Sequence, residues 1–229
     1  MTLHRFFVAA GEMAGASFPL PGTIERQVRT VLRMRDGDRL VLFSGDGTEA
    51  VCRLEGAECV VERRRAVATE PSHRLTIVQA LLKGDALEDV VRQATEIGVA
   101  RFRLMVAERC VAHDVSPRKL DRLRSIAREA AEQSERGIVP PVDEPISLAD
   151  AFDGQSVLLY ERNALVRLGG VDPPTAVIIG PEGGFTDDEV GSAKRAGVRL
   201  AGLGPRILRS QSVAPAAAAV VLSRAGDFA

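Results

Sequence analysis

The chain has 229 residues, is 45% hydrophobic, and balances 30 Lys+Arg against 31 Asp+Glu for a net charge of −1. That length holds one large domain or two smaller ones around a real core. The near-neutral balance excludes indiscriminate nucleic-acid binding but leaves room for a local basic face. No run reaches the roughly 18 consecutive apolar residues of a membrane helix, and the N-terminus lacks the pattern of a signal peptide. Cys52, Cys59 and Cys110 have no Cys-x-x-Cys spacing, and His4, His73 and His113 are scattered, so neither a disulfide framework nor a zinc site is indicated. The expectation is a cytoplasmic chain with reduced thiols, no metal and no membrane partner.

In chain order, Arg39 to Phe43, Ala50 to Leu54 and Cys59 to Glu62 read as short strands separated by Ser44-Gly45-Asp46-Gly47 and Glu55-Gly56, the grammar of hairpins in a small barrel or sandwich. The loose Gly-x-Gly pattern after the first strand leads into another strand and not a helix, so it is a turn and not a phosphate cradle. The basic, polar stretch from Arg63-Arg64-Arg65 to Ser72 is the expected linker, which divides the chain into 1–70 and 71–229.

Beyond it, strands alternate with helices. Leu75 to Leu82 is a strand. Leu87, Val90, Val91, Ala94 and Ile97 stripe a helix that ends at Gly98, a C-cap glycine. Phe102 to Val106 is the next strand, and Leu120, Leu123, Ala127, Ala130 and Ala131 stripe a long helix running toward Gly137. Val157 to Tyr160, Ala176 to Ile179 and Val198 to Leu203 complete the pattern of a mostly parallel sheet.

Two segments stand out. Gly180-Pro181-Glu182-Gly183-Gly184-Phe185 lies between a buried strand and the capping box Thr186-Asp187-Asp188-Glu189, so backbone amides there can approach a ligand closely. Leu203-Gly204-Pro205-Arg206-Ile207-Leu208-Arg209-Ser210 places two arginines around an Ile-Leu pair, which suits a flat polar heterocycle. Both fall at strand carboxyl ends, where parallel sheets bind ligands.

Together with His4-Arg5-Phe6-Phe7-Val8, Lys83-Gly84-Asp85, Gln93 to Val99, Glu108-Arg109-Cys110 and Glu129 to Ser134, these segments resemble the ribosomal RNA small subunit methyltransferase E family in the same order along nearly the whole chain. The resemblance implies a PUA-like RNA-binding β-barrel over 1–70. It implies an α/β SPOUT methyltransferase domain over 71–229, with a C-terminal trefoil knot that no propensity argument supplies. It also implies a homodimer that uses S-adenosylmethionine to methylate N3 of a uridine in 16S rRNA of the small ribosomal subunit. Carried over residue by residue, it places the cofactor on Leu159 and its neighbours Tyr160 and Glu161, on Gly180, Pro181, Glu182, Gly183 and Gly184, and on Leu203, Gly204, Ile207, Leu208, Arg209 and Ser210. His4, Arg5, Lys83 and Arg109 are the candidate RNA contacts, with Arg5 and Arg109 first because they match family motifs; the Arg63-Arg64-Arg65 run and the Arg118 to Arg128 helix are further candidates, with a solvated charged face as the alternative.

Uracil N3 carries a proton and is a poor nucleophile, so the site must stabilise the anion left when that proton goes. Arg209 is the candidate catalytic residue for this, the alternative being an arginine paired to phosphate or to a nearby carboxylate. Glu182, at a helix N-terminus, is a weak base and reads as structural or cofactor-orienting. One departure stands against the family pattern Arg-Thr-Glu-Thr: here the segment is Arg209-Ser210-Gln211-Ser212. The missing carboxylate leaves open another RNA methyltransferase of the SPOUT class, or a catalytically impaired RNA-binding relative.

Overall fold

The computed structural model describes residues 3–161 and 166–228. They form two compact units: residues 3–70 with Ala131–Val139, and Pro71–Ala130 with Pro140 onward.

The first unit is built on a five-stranded mixed sheet with strands β1 (Arg5–Phe7), β2 (Ser17–Pro19), β3 (Arg39–Phe43), β4 (Thr48–Glu55) and β5 (Glu58–Ala66), ordered β1-β3-β4-β5-β2. Helix α1 (Gly22–Arg26) continues as a wider turn over Gln27–Val31. Alternation sends Leu40, Leu42, Ala50, Cys52, Leu54 and Cys59 into one core with Phe6, Phe18, Ile24 and Val28. The β3–β4 connection is a glycine turn, in which Asp46 Oδ1 accepts from the Thr48 N–H at 2.9 Å. Arg63-Arg64-Arg65, expected as linker, are the exposed end of β5. Extended residues with charge on their outer face do not announce a strand. The described strands form one sheet with β1 and β2 at its ends.

Residues 131–139, expected in the second domain, group with the first, and polar bonds explain why. Glu70 accepts from Arg136 Nη2 at 2.8 Å and from the N–H groups of Gly137 and Ile138 at 3.0 Å each. Glu132 Oε1 accepts from the Phe7 N–H at 2.8 Å. Arg136 is 3% exposed, so these bonds compensate a buried cation.

The second unit holds an all-parallel six-stranded sheet: β6 (Thr76–Ala80), β7 (Arg101–Val106), β8 (Val142–Ser147), β9 (Ser156–Leu159), β10 (Ala176–Ile179) and β11 (Arg199–Ala201), ordered β11-β9-β10-β6-β7-β8. Every residue of β9 and β10 is buried, as expected of central strands covered on both faces. Helix α2 (Ala86–Ile97) buries the Leu87-Val90-Val91-Ala94 stripe and ends at Gly98, whose φ of 114° requires glycine. Helix α3 (Pro117–Gln133) follows β7, helix α4 (Asp187–Arg195) follows β10, and helix α5 (Ser210–Arg224) closes the chain and packs on α2. The chain lays β6, β7 and β8 outward in one direction, then crosses to β9 and fills the gap with β10. This reversal of strand order creates a crevice at the carboxyl ends of the strands.

Candidate functional site

A cleft opens at that reversal. Leu159, Tyr160 and Glu161 come from the end of β9; Ile179, Gly180, Pro181, Glu182, Gly184 and Phe185 from the end of β10; and Leu203, Gly204, Arg206, Ile207, Leu208, Ser210 and Val213 from the segment leading into α5. The two glycine-bearing segments singled out in the sequence therefore converge on one space.

The first wall is a tight turn. The Gly184 N–H donates to the Pro181 carbonyl at 2.9 Å, and Gly184 sits at φ 68°, a conformation that L side chains rarely adopt. A capping box ends the turn: Thr186 Oγ1 accepts from the Glu189 N–H at 3.2 Å, and Glu189 Oε2 accepts from the Thr186 N–H at 2.8 Å. Two neighbouring loops brace it. Glu182 Oε1 accepts from the Lys83 N–H at 3.0 Å, and Glu189 Oε1 from the Glu108 N–H at 2.7 Å. The Tyr160 hydroxyl donates to Asp187 Oδ1 at 3.2 Å, tying the end of β9 to the first turn of α4.

The second wall is open backbone. Gly204 sits at φ 150°, and a Cβ there would meet nothing within 4 Å. Among the described residues, no backbone N–H from Leu203 to Leu208 donates to a protein acceptor, while the Gly204 carbonyl accepts from Arg167 Nη1 at 2.7 Å. Ile207 is 86% exposed and Leu208 38% exposed at the mouth of the cleft. Apolar side chains beside free N–H donors suit a planar heterocycle.

Of the residues expected to hold a cofactor, Leu159, Gly180, Pro181, Glu182, Gly184, Leu203, Gly204, Ile207, Leu208 and Ser210 line the cleft, whereas Gly183 and Arg209 fall outside its lining. The side of Gly183 that would carry a side chain is turned to Arg109: a Cβ there would lie 3.0 Å from the Arg109 Cβ. Arg209 is exposed at the N-cap of α5. Ile179, Phe185, Arg206 and Val213 also line the cleft, although none of them was assigned to the cofactor from the sequence. Arg206 lay inside the motif and its charge was the available signal, while Val213 points inward only because α5 begins at Ser210.

The four expected RNA contacts separate. His4 and Lys83 are exposed, and among the described residues neither side chain has an ion-pair or hydrogen-bond partner. Arg5 is buried instead, its side chain 7% exposed, ion-paired to Glu49, bonded to the Arg136 carbonyl at 3.1 Å and stacked 5.2 Å from the Phe43 ring centroid. Arg5 is thus a strut of the first unit and not the exposed RNA contact expected of it. Arg109 Nη1 donates to the carbonyls of Gly183 at 3.0 Å and Phe185 at 3.3 Å.

Cys110 stands beside these loops as a potential nucleophile. Burial pushes its thiol up, and the carboxylates of Glu189 and Glu182 push in the same direction, so it stays protonated and inert. Among the described residues no cluster of three or more His, Cys, Asp or Glu is placed to hold a metal, and no helix is long and apolar enough to cross a membrane.

Comparison with known proteins finds two family models along the chain. Residues 69–222 match the family model of an RNA methyltransferase domain, and residues 28–62 that of an RNA methyltransferase PUA domain. The chain is 34% identical to the ribosomal RNA small subunit methyltransferase E of Mycobacterium bovis, over 99% of this chain and 92% of that protein. It is 32% identical to the Bacillus subtilis protein of the same name, over 92% of each. Among solved structures, it is similar to the Neisseria gonorrhoeae ribosomal RNA small subunit methyltransferase E bound to S-adenosyl methionine, with a TM-score of 0.84, 29% identity and 95% of each chain covered. A family model spanning most of the chain and relatives above 30% identity along nearly its full length lead to one conclusion: the chain belongs to the ribosomal RNA small subunit methyltransferase E family.

Proposed function

We propose that this chain transfers a methyl group from S-adenosylmethionine to N3 of a uridine in 16S rRNA of the small ribosomal subunit. Membership of the family supports rRNA methylation with this cofactor. The observation that carries the reading in this chain is the cleft itself, where the Gly180–Phe185 turn faces open backbone at Gly204.

The residues present fit the cofactor. The unfilled face of Gly204 and the N–H groups of Leu203, Gly204, Arg206, Ile207 and Leu208, which have no acceptor among the described residues, suit an adenine ring and its nitrogens, and Leu159, Ile179 and Leu208 supply apolar surface. We assign Arg206, the cation of the cleft lining, to the cofactor carboxylate, where a guanidinium makes charge-assisted bonds. When bound, the cofactor supplies an electrophilic methyl on a sulfonium. Gly183 and Arg209 are moved from direct cofactor contact to its support and to the substrate side.

The remaining chemistry falls to the chain. Arg209 caps the N-terminus of α5 with its side chain exposed and no ion-pair partner among the described residues, and we assign it to the uracil carbonyl oxygens. There it stabilises the anion formed as the N3 proton leaves. The first turn of α5 adds free N–H donors of the same polarity. Gln211, half-buried on that turn, cannot accept the proton as a carboxylate would, so in this reading it passes to solvent or to another group.

We further propose that residues 1–70 position RNA with His4 as one contact, that Lys83 of the second unit is another, that the chain works as a homodimer in the cytoplasm, and that the second unit is a SPOUT domain with a trefoil knot. Exposed Ile207 and Leu208 support a covering second copy, which light scattering would detect. Hydrogen bonds of Gly202 with Val166 and Leu168 lay the segment after β9 along the end of β11, and this supports a threaded path before α5. Pulling the two ends apart would leave a knotted chain shorter than its contour length. The function itself is tested by incubating small-subunit rRNA with the protein and labelled S-adenosylmethionine: label in 3-methyluridine supports it, and label in ribose or guanine refutes the N3 assignment.

A further inference from the structure

We infer that Arg109 is a positioning residue for the cofactor turn and not an RNA contact; the inference rests on the reading of the cleft as an S-adenosylmethionine site. The carbonyls of Gly183 and Phe185 flank Gly184, the residue at φ 68°, and both accept from Arg109 Nη1, at 3.0 and 3.3 Å. One guanidinium nitrogen thus joins the two peptide groups on either side of the reversal. Two successive glycines lose more conformational freedom on ordering than any other pair, so a turn of this composition needs an external restraint to hold its backbone toward a ligand. Arg109 supplies it with a planar head that spans both carbonyls.

The arginine stem acts with the head. A Cβ on Gly183 would stand 3.0 Å from the Arg109 Cβ and 3.4 Å from its Cδ, so the stem lies against the glycine with no space between. Gly183 is small to admit this arginine, since it does not line the cleft. The loop carrying Arg109 is fixed in turn by the Glu108 N–H bond to Glu189 at 2.7 Å and the Thr186 hydroxyl bond to Glu108 at 3.3 Å. With Nη1 held on these two carbonyls the guanidinium is fixed against the turn, whereas the side chain of Lys83 has no such commitment.

The test uses the full chain, titrated calorimetrically with S-adenosylmethionine and, separately, with a small-subunit rRNA fragment at several salt concentrations. Arg109→Ala is expected to raise the Kd and KM for S-adenosylmethionine by roughly tenfold through lost pre-organisation. RNA affinity and its salt slope should stay unchanged, and Arg109→Lys should recover part of the loss. Gly183→Ala, which presses on the arginine without entering the cleft, is expected to weaken the cofactor in the same way and decides the matter alone if Arg109→Ala does not fold. Unchanged cofactor affinity in either folded variant, or weaker RNA binding with the salt slope reduced by about one, overturns the inference. A wild-type chain that binds no S-adenosylmethionine would instead refute the reading of the cleft.

Discussion

The two units use arginine in opposite ways. In the first, Arg5 and Arg136 are sunk into the protein, 7% exposed by side chain and 3% exposed overall, and answered by Glu49 and Glu70. In the second, Arg206 and Arg209 are exposed at the cleft and the N-cap of α5, while Arg109 Nη1 donates to two backbone carbonyls. Buried cations hold a fold together because leaving them unpaired is costly. Exposed cations without partners remain available for ligands. The residue type is shared, and burial and partners decide its work.

Breaking the structural arginines should have the largest effect. Glu49→Ala leaves Arg5 buried without its carboxylate and is expected to destabilise the first unit by about 3–5 kcal/mol, read from urea unfolding, with cofactor affinity retained. The same pair sets a pH dependence. Burial alone would raise the Glu49 carboxyl, but hydrogen bonds from Arg5 and Arg65 outweigh it and hold the group below its ordinary value. A depressed carboxyl contributes stability that is present above its unfolded pKa and is lost as pH falls through the folded one. Stability should therefore decline below about pH 4, and Glu49→Gln should flatten that decline; an equally steep decline in the variant would remove Glu49 from the account.

The arginines proposed to meet cofactor and substrate come next. Arg209→Ala should slow single-turnover methyl transfer by about a hundredfold or more, the scale of one preorganised donor lost at a developing anion, while leaving the Kd for S-adenosylmethionine nearly unchanged. Arg206→Ala should do the reverse. Exchanged behaviour would swap the two assignments. Gly204→Val, which projects a branched side chain into the cleft from a positive φ, should weaken cofactor binding by more than roughly tenfold, with about 1–3 kcal/mol of strain in the unfolding curve; unimpaired binding would place the ligand elsewhere. The smallest change is expected of Gln211→Glu. If anion stabilisation dominates, the rate moves little, whereas a gain on the order of 100-fold with a new pH profile would make the family carboxylate a general base.

Much of this molecule was legible where local signals were strong. Ala176–Ile179 and Arg39–Phe43 are strands with the expected bounds, the α2 stripe ends at Gly98, and the Thr186-Glu189 capping box forms as its spacing requires. Each rests on periodicity or on a residue whose local chemistry leaves little choice. The losses came from long-range pairing. Strand β8 contains Asp143, Glu144 and Pro145 and lies at the sheet edge, where a proline is tolerated and no apolar alternation is imposed. Strands β1 and β2 have three residues each, too few for a period. Residues 131–139 belong to the first unit through Glu132 and Arg136, whose partners are more than 60 residues away in sequence. At the cleft the glycine motif was visible, but the face each glycine presents was not: Gly184 and Gly204 meet the cleft, and Gly183 meets Arg109.

That misplacement also alters what truncation would test. Removing residues 1–70 would strip Glu70 from Arg136 and the β1 backbone from Glu132, so a chain beginning at Pro71 should lose thermal stability as well as RNA positioning. Full-length variants are the cleaner comparison.

The central claim is most directly tested by nucleoside mass spectrometry of small-subunit rRNA from cells with and without this protein, followed by reaction of the unmethylated subunit in vitro with the purified chain. Transfer to uracil N3 predicts that 3-methyluridine is missing without the protein and restored only when S-adenosylmethionine is present. Unchanged 3-methyluridine, or restoration of a different methylated nucleoside, would contradict it.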